Sequence, residues 1–323
     1  MPRLLSVAVN VCVAAFVGAL AVSGAWAQTP KSTSHSPGWY RMHLGSFEIT
    51  ALSDGTLDLP VDELFPKVDP ARLRSLLARS FLASNVSLTV NAFLVNTGTR
   101  LVLIDTGTGT SQAFGPKLGQ LLANLRASGY SAEQVEEIYV THMHTDHIGG
   151  LMRDGQPAFP KAVIRADVRE AGRYLSQAAL DAAPADERED YESAMTVFKP
   201  YLAAGKFKPF DGETQLIPGV RAVSAAGHTP GHTIYVIESG GERMLAWGDL
   251  MHVAAIQFPL PSATFETEWS TTKSAQQRQT IFADVANRGD YVAAAHVAFP
   301  GIGKLRADGD GYTWVPVSYI FGR

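Results

Sequence analysis

The chain has 323 residues, of which 46% are hydrophobic and 18% are charged, and its formal charge at pH 7 is −4. This ordinary globular composition excludes a disordered or collagen-like chain, and the length allows one large domain or two small ones. Because Lys and Arg are scattered rather than clustered, nucleic acid and anionic membrane surfaces are disfavoured as partners.

The first 27 residues have the features of a secretory signal peptide. Arg3 is the only charged residue among the first 30, residues 4–22 are almost wholly apolar, and Ala25-Trp26-Ala27 forms an A-x-A cleavage pattern. The pattern predicts cleavage after Ala27 and a periplasmic or secreted protein. A retained membrane anchor is the alternative, because an apolar run of about 19 residues is just long enough to span a bilayer.

Cleavage would leave a mature chain without cysteine, since Cys12 lies in the predicted signal. It would also remove Arg3 and no acidic residue, so the formal charge would become −5. Any metal site must then use His and carboxylate ligands. We expect a flexible Pro/Ser-rich linker over residues 28–38 and a single folded domain over 39–323, free of the membrane after cleavage.

Nine short segments carry strand patterns, which are either alternating apolar and polar residues or apolar runs between turn signals. They cover residues 47–52, 90–95, 101–104, 138–140, 161–165, 221–225, 234–237, 244–247 and 291–295. The first is expected to end at a turn over 53–55, and the second and third flank a turn sequence that predicts a β-hairpin.

Helix patterns lie between these strands. Leucines spaced i, i+3, i+4 and i+7 predict a helix over 116–127, Ser131 with Gln134 predicts a capping box, and 167–175 predicts another helix. The polar residues 181–190 are expected to form a surface excursion. The chain is therefore expected to be α/β, with polar candidates placed where strands end, the usual position of sites in such folds.

Six of the nine histidines fall in short segments that follow predicted strands. The richest segment holds His142, His144, Asp146 and His147, and its first two histidines can face the same way because they are two apart at a strand end. Clustered His and carboxylate usually bind metal. The alternative, core packing, would need several satisfied histidines side by side.

Three more candidates follow later strands. His228 lies with His232 in a Gly/Pro turn that holds a side chain steady, Asp249 follows 244–247, and His296 follows 291–295. A lone histidine after a strand is weak evidence, and His296 gains weight only as a member of this set.

The series HxHxDH, GHTPGH, GD and a late His resembles the ligand series of the metallo-β-lactamase superfamily, over about residues 39–321. The resemblance implies an αββα sandwich, in which two mixed sheets lie face to face with helices outside and the site on one edge. Asp105, in the sequence LIDTG, would support the site without binding metal. His232 would lie behind the ligands and orient a neighbour.

The same resemblance implies the metal ligands. One metal would take His142, His144 and His228, the other would take Asp146, His147 and His296, and Asp249 would bridge them. Zinc is the first expectation, and manganese, cobalt or iron suit the same ligands. Two metal ions about 3.5–4 Å apart share a water and make it hydroxide at neutral pH, so the bridging hydroxide would attack a carbonyl carbon or a phosphorus.

Within the superfamily, the chain resembles the methyl parathion hydrolase group most. The resemblance rests on residues 40–42, 47–56, 205–210, 227–233 and 299–303, and it implies an exported homodimer. The chain departs from that group at His252, Phe265, Thr267 and Leu64, and by one residue near 188–191. A bulkier, more polar pocket would crowd a dialkyl aryl phosphotriester, so we expect lactone or aryl-ester hydrolysis, with weaker phosphotriester hydrolysis.

Aromatic residues and one histidine are the candidates for the substrate pocket. They are Phe114, Tyr174, Tyr191, His252, Phe258, Phe265 and Trp269. Each could equally be a core or dimer contact, because aromatic residues dominate both. His252 is also a candidate proton donor to the leaving group, which makes it a catalytic candidate beside Asp146 and Asp249.

Other functions stay open at this point. The chain could be primarily a phosphotriesterase, a non-catalytic exported metal-binding protein, or a mononuclear iron oxidoreductase on the same fold. Metal content and colour would separate these alternatives from a dinuclear hydrolase.

Overall fold

The computed structural model describes residue 31 and residues 36–111, 115–185 and 187–319. The predicted signal peptide with Cys12, most of the predicted linker, and the pocket candidate Phe114 lie outside the described residues. Among the residues that are described, no helix is both long enough and apolar enough to cross a membrane.

Backbone hydrogen bonds join the strands into two large sheets and one small hairpin. In chain order the strands are β1 Trp39–Leu44, β2 Phe47–Pro60, β3 Asn85–Asn96, β4 Leu101–Ile104, β5 Glu137–Tyr139, β6 Met152–Arg153, β7 Gln156–Pro157, β8 Val163–Arg165, β9 Thr214–Ile217, β10 Val220–Ser224, β11 Thr233–Ser239, β12 Glu242–Ala246, β13 Tyr291–Ala293, β14 Ile302–Asp308 and β15 Gly311–Pro316.

Helices of very different length connect these strands. They are α1 Val61–Leu64, α2 Pro70–Arg79, α3 Leu121–Ala127, α4 Thr145–Ile148, α5 Val168–Tyr174, α6 Gln177–Ala182, α7 Arg188–Ala203, α8 Ala254–Gln257 and α9 Thr271–Arg288. The sequence patterns did not predict α2, α7 or α9. The predicted capping box is confirmed, and it opens a 3₁₀ turn at Ala132–Gln134.

The first sheet has the strand order β1-β2-β3-β4-β5-β8, and the second has the order β15-β14-β13-β12-β11-β10-β9. Most neighbours are antiparallel, including the predicted hairpin of β3 and β4. The exceptions are parallel pairs, β4 with β5 and β5 with β8 in the first sheet and β12 with β13 in the second. Both sheets are therefore mixed, as expected.

The two sheets bury their inner faces against each other. One apolar cluster contains Ile49, Phe93 and Ile104 from the first sheet together with Ile237 and Met244 from the second. The outer face of the first sheet packs on α3, α5, α6 and α7, and the outer face of the second packs on α9. The αββα sandwich is confirmed.

The strand directions bring several chain segments to one edge of the sandwich. β4 and β5 are parallel, so the residues after them emerge at the same end. In the second sheet β12 and β13 are parallel, and β10 points the same way because β11 is antiparallel to both β10 and β12. The residues that follow these five strands include all of the predicted metal ligands.

The expected turn at 53–55 is wrong, because β2 continues to Pro60 through a bulge between Ser53 and Gly55. Gly55 has φ +130°, which side-chain-bearing residues rarely adopt. The bulge accompanies a buried Asp54, whose carboxylate accepts hydrogen bonds from the backbone N–H groups of Thr108 at 2.9 Å and Leu121 at 3.0 Å.

Two other boundaries also differ. The helix expected over 116–127 begins only at Leu121, since Asp54 accepts the Gly119 and Leu121 N–H groups and the preceding residues turn instead. The segment 181–190, expected to form a surface excursion, includes the end of α6 at Ala182 and the start of α7 at Arg188. Residues 181, 182, 184, 185 and 189 are exposed, and Glu187 and Asp190 line a cavity.

We expect Asp54→Asn to lower the free energy of unfolding of the metal-free protein by about 1–3 kcal/mol, measured by urea denaturation. The amide oxygen can still accept the hydrogen bonds donated by Thr108, but the NH2 group then faces the backbone N–H of Leu121. That N–H is left without an acceptor. The control is Asp58→Asn on the same strand, where the carboxylate is exposed beside Lys117. Equal stability of the two variants would contradict the role given to Asp54.

Candidate metal centre

Three imidazoles converge in a first group, in which His142 and His228 are buried and His144 is half-buried. His142 and His144 follow β5, and His228 lies in the turn after β10. His142 Nε2 lies 3.0 Å from His144 Nδ1 and 3.2 Å from His228 Nε2, and the last two atoms are also 3.0 Å apart. Three ring nitrogens in a triangle of this size could hold one metal ion.

A second group contains two carboxylates and two imidazoles. Asp146 and His147 lie in α4, Asp249 follows β12 and His296 follows β13. His147 Nε2 and His296 Nε2 each lie 3.1 Å from Asp249 Oδ1. The other oxygen, Asp249 Oδ2, faces the first group at 3.7 Å from His142 Nε2 and 3.5 Å from His228 Nε2. Asp249 therefore stands between the two groups.

The donor atoms of both groups fit divalent cations better than they fit each other. Each imidazole carries one ring proton when neutral, so three nitrogens that face one another cannot all be paired by hydrogen bonds. In the second group His147 Nε2 and Asp249 Oδ1 are buried and have no hydrogen-bond partner among the described residues. Buried polar atoms without partners are costly unless a ligand or ion satisfies them.

The pKa directions differ between the groups and have separate causes. Burial holds the pKa values of His142 and His228 well below the usual range, which favours the neutral imidazole that a metal requires. Burial opposes protonation of His147 too, but Asp249, Asp146 and Asp105 outweigh it and raise its pKa. The carboxylates of the second group thus favour positive charge beside them, which a metal cation would also supply.

Asp105 holds the second group from behind. It follows β4, and its Oδ2 lies 2.8 Å from His147 Nδ1 while its Oδ1 accepts the backbone N–H of Thr141 at 2.8 Å. This contact makes His147 Nδ1 the protonated ring nitrogen and leaves Nε2 to face Asp249. Asp105 lies behind His147 and belongs to neither ligand group.

Two other residues hold ligand candidates in place by contacts to atoms that do not face the metal groups. His232 Nε2 accepts the backbone N–H of Asp249 at 3.0 Å, so His232 fixes the segment that carries the bridging candidate. The Tyr174 hydroxyl lies 3.0 Å from His144 Nε2, on the far side of the ring from His142. Tyr174 was expected in the pocket, and it lies there, but it also orients a histidine of the first group.

His252 reaches the metal groups as well as the pocket. Its Nε2 lies 3.2 Å from Asp249 Oδ2, and its ring stacks on Phe265 with centroids 4.0 Å apart and planes 7° from parallel. Its Nδ1 is buried without a hydrogen-bond partner among the described residues. His252 is therefore fixed in orientation beside the position where a substrate would meet the metal ions.

A cavity of about 1030 Å³ opens over the two groups. His144, Asp146, His228, Asp249 and His296 form part of its floor. One part of its wall is apolar, with Leu57, Leu59, Leu64, Leu88 and Phe265, and another is charged, with Arg169, Arg173, Glu187 and Asp190. The ligand groups thus face a space large enough for a small organic molecule.

Most of the predicted pocket residues lie on this wall. They are Tyr174, Tyr191, His252, Phe265 and Trp269, and the departures Leu64 and Thr267 join them. Phe258 does not, because it packs in the core between Trp247, Phe282 and Trp314. Sequence reasoning missed Arg173 and the leucines of β2 and β3, whose alternation marks a strand but not a cavity wall.

A cluster of His and Asp side chains that could hold metal ions thus lies at one edge of an αββα sandwich, beneath an open cavity. The family model of the metallo-β-lactamase superfamily matches residues 87–286. The chain belongs to the metallo-β-lactamase superfamily, as its motifs indicated. Since the match covers more than half of the chain, the resemblance inferred from the sequence is confirmed at this level.

Curated relatives are about a quarter identical to this chain over part of its length. A "probable metallo-hydrolase" of Mycobacterium tuberculosis is 27% identical over 209 residues, which are 58% of this chain and 64% of that protein. An N-acyl homoserine lactonase of Bacillus cereus is 27% identical over 171 residues, which are 48% of this chain and 60% of that protein. The chain spans less than two thirds of the length of these relatives.

Two solved structures are similar over nearly the whole fold. The hydrolase AbOPH of the β-lactamase superfamily has a TM-score of 0.84 and 34% identity, and the match covers 89% of this chain and all of that one. AidC, a dizinc quorum-quenching lactonase in complex with the product N-hexanoyl-L-homoserine, has a TM-score of 0.80 and 28% identity, covering 88% and 98%. The similarity to methyl parathion hydrolase itself stays a prediction.

We expect Asp105→Asn to weaken metal binding by about 10- to 100-fold, measured by competition with a chromophoric chelator. If the amide oxygen keeps the Thr141 N–H, the NH2 group faces His147 Nδ1 and forces the proton onto Nε2, the atom turned toward Asp249. Asp58→Asn is again the control. Unchanged metal affinity in Asp105→Asn would show that the tautomer of His147 is not set by Asp105.

Proposed function

We propose that the protein is a dinuclear metal-dependent hydrolase that opens lactones and cleaves aryl esters. The observation that carries this proposal is the placement of two ligand groups around Asp249, at the floor of an open cavity. His142, His144 and His228 would hold one ion, Asp146, His147 and His296 the other, and Asp249 both. Zinc is the first candidate, in keeping with the dizinc lactonase of similar fold.

Two divalent ions bound there would supply Lewis acidity and a water acidic enough to attack at neutral pH. The chain's own residues would do the rest. The two groups fix the geometry through backbone and side-chain bonds, and the surrounding walls restrict water. The Asp146 carboxylate, at the cavity floor, would take the proton of the attacking water and pass it to the departing alkoxide.

His252 has a second role in this proposal. It lies on the cavity wall, and its Nε2 is 3.2 Å from Asp249 Oδ2. Stacking on Phe265 fixes the ring, so it narrows the space directly beside the ions. A flat lactone or aryl ester fits beside a stacked imidazole better than a phosphotriester with two alkoxy groups around phosphorus. From its position beside Asp249, His252 would also be the candidate proton donor to a leaving group.

The cavity walls favour a substrate with one apolar part. The four leucines and Phe265 offer an apolar surface, and Arg173 with Tyr191 offers a polar one. Curated relatives that share part of the chain are N-acyl homoserine lactonases, whose substrates combine a lactone with an acyl chain. An acylated lactone would place its ring over Asp249 and its chain along the leucines.

The same ligand groups at the cavity floor would support a second activity, phosphotriester hydrolysis. The ligand groups contain nothing that discriminates a carbonyl carbon from phosphorus, because both reactions need an activated water and a stabilised oxygen. The sequence resemblance to methyl parathion hydrolases supports this activity. The stacked pair of His252 and Phe265 is the feature that makes it the weaker of the two.

We expect purified residues 28–323 to hydrolyse an aryl lactone with a higher kcat/KM than methyl parathion. The variant His144→Ala, purified in the same way, should lose a ligand of the first group. We expect its kcat/KM to fall by more than the about 10- to 100-fold that is typical when a residue behind a metal ligand is changed. A preparation with two metal ions per chain that hydrolyses methyl parathion faster would overturn the proposed preference. One that hydrolyses neither substrate would overturn the substrate class.

We expect His252→Leu to reduce the preference for lactone over phosphotriester by about tenfold, a change typical of one altered pocket contact. The shorter aliphatic side chain cannot stack flat on Phe265, so it opens space beside the ions. The measurement is the ratio of the two kcat/KM values, which cancels any common loss. His43→Leu, at an exposed site on β1, controls for the loss of a histidine. An unchanged ratio would remove His252 from the specificity argument.

A further inference from the structure

Helix α5 carries a fully buried carboxylate, Glu170, that lies behind the first metal group. Its Oε2 accepts the backbone N–H of Met143 at 3.0 Å, and its Oε1 accepts the backbone N–H of Gly231 at 2.7 Å. Met143 lies between His142 and His144, and Gly231 lies three residues after His228. One carboxylate therefore ties together two turns that are 88 residues apart in the chain.

The turn around Gly231 is shaped for this contact. A Cβ at position 231 would lie 2.7 Å from the Glu170 backbone nitrogen and 3.0 Å from its Oε1, closer than real side chains approach. Only glycine therefore lets the His228 turn come close enough to donate its N–H. The other turn approaches through Met143, a residue with no exposed surface.

Nothing in the proposed chemistry uses Glu170. It does not line the cavity and belongs to none of the residue groups that could hold a metal ion. Burial raises its pKa to about 7, which is a cost that the protein would avoid with an apolar residue at this position. A buried acid whose two oxygens each accept one backbone N–H suggests a positional role.

We propose that Glu170 is a positioning residue that presets the distance between the His142–His144 segment and His228, so that the first metal group is formed before metal binds. The inference rests on the proposed dinuclear centre. It assigns to Glu170 an effect on one metal ion of the pair, since the ligands of the second group are held by Asp105, His232 and the backbone instead.

Glu170→Gln separates this role from simple loss of volume. Gln has the same shape but only one acceptor oxygen, so it can satisfy Met143 or Gly231 and must turn its NH2 group toward the other N–H. One turn is then released. Contacts behind metal ligands commonly change metal affinity by about 10- to 100-fold, and we expect a loss of that size for one ion only.

The experiment is a metal titration of wild-type and Glu170→Gln protein with Co²⁺, followed by the visible absorption of the bound ions and by chelator competition. Wild-type protein should bind two ions. Glu170→Gln should bind one with unchanged affinity and the other about 10- to 100-fold more weakly, with an altered spectrum for that ion. Two ions bound by the variant with wild-type affinities and spectrum would overturn the inference.

Two further variants keep the result specific. Asp290→Asn removes another buried carboxylate, one that pairs with Arg243 at the other end of β12 and β13, and should lower stability without changing either metal affinity. Asp105→Asn should weaken the ion of the second group instead. If Asp290→Asn weakens one ion as much as Glu170→Gln does, the effect is general destabilisation and the inference is wrong.

Hydrogen exchange of metal-free wild-type protein decides the matter if Glu170→Gln does not fold. Preset turns require the Met143 and Gly231 amides to exchange slowly before metal is added. Rapid exchange that slows only after metal addition would mean that the ion holds the turns, and would overturn the inference. Wild-type protein that binds fewer than two ions would overturn the proposed function, and this inference with it.

Discussion

The structure depends on one costly arrangement, the meeting of five imidazoles and two carboxylates in largely buried positions at one edge of the sandwich. In the first group three ring nitrogens lie about as close as hydrogen-bonded atoms, yet neutral imidazoles have too few protons to pair them, and buried polar atoms without partners are unfavourable. The fold must therefore hold these three side chains together without full pairing between them. It does so by placing them directly after strands of both sheets, since the hydrogen bonds of the sheets fix the positions of the strand ends.

Buried carboxylates repeat one device at three places, and two of them, Asp105 and Glu170, contact the segments that carry ligand candidates. Asp54 joins the 108 and 121 segments, Asp105 joins Thr141 to His147, and Glu170 joins Met143 to Gly231. Each uses its two oxygens on two different residues, and Asp54 and Glu170 in this way join segments that are distant in the chain. Because a carboxylate only accepts hydrogen bonds, it can satisfy N–H groups that loops would otherwise leave unpaired. In this way, hydrogen bonds to buried carboxylates hold loops that form no regular secondary structure.

The sequence predicted the fold and the seven ligand candidates because those features are local. His142, His144, Asp146 and His147 sit within six residues, and the strand that precedes them is a short apolar run. The features that it missed are long-range. Asp54 looked like a turn residue, since Ser-Asp-Gly is a turn signal, and only contact with the distant 108–121 segment turns it into a buried acceptor. Glu170 looked like an ordinary helix residue for the same reason, and Phe258 could not be told from a pocket aromatic.

The arrangement of the cavity wall could not be predicted from the sequence either, and this arrangement bears on substrate specificity. The residues at which the chain is expected to depart from methyl parathion hydrolases are visible in the sequence, but their mutual arrangement is not. In the structure His252 and Phe265 are a stacked pair, with ring centroids 4.0 Å apart, and Phe265 packs edge-on against Phe65. A change at His252 would therefore leave Phe265 without a flat partner and move the wall as well as widen it. Under the proposed function, substrate preference would therefore depend on that packed pair rather than on the metal ligands, which would serve either reaction.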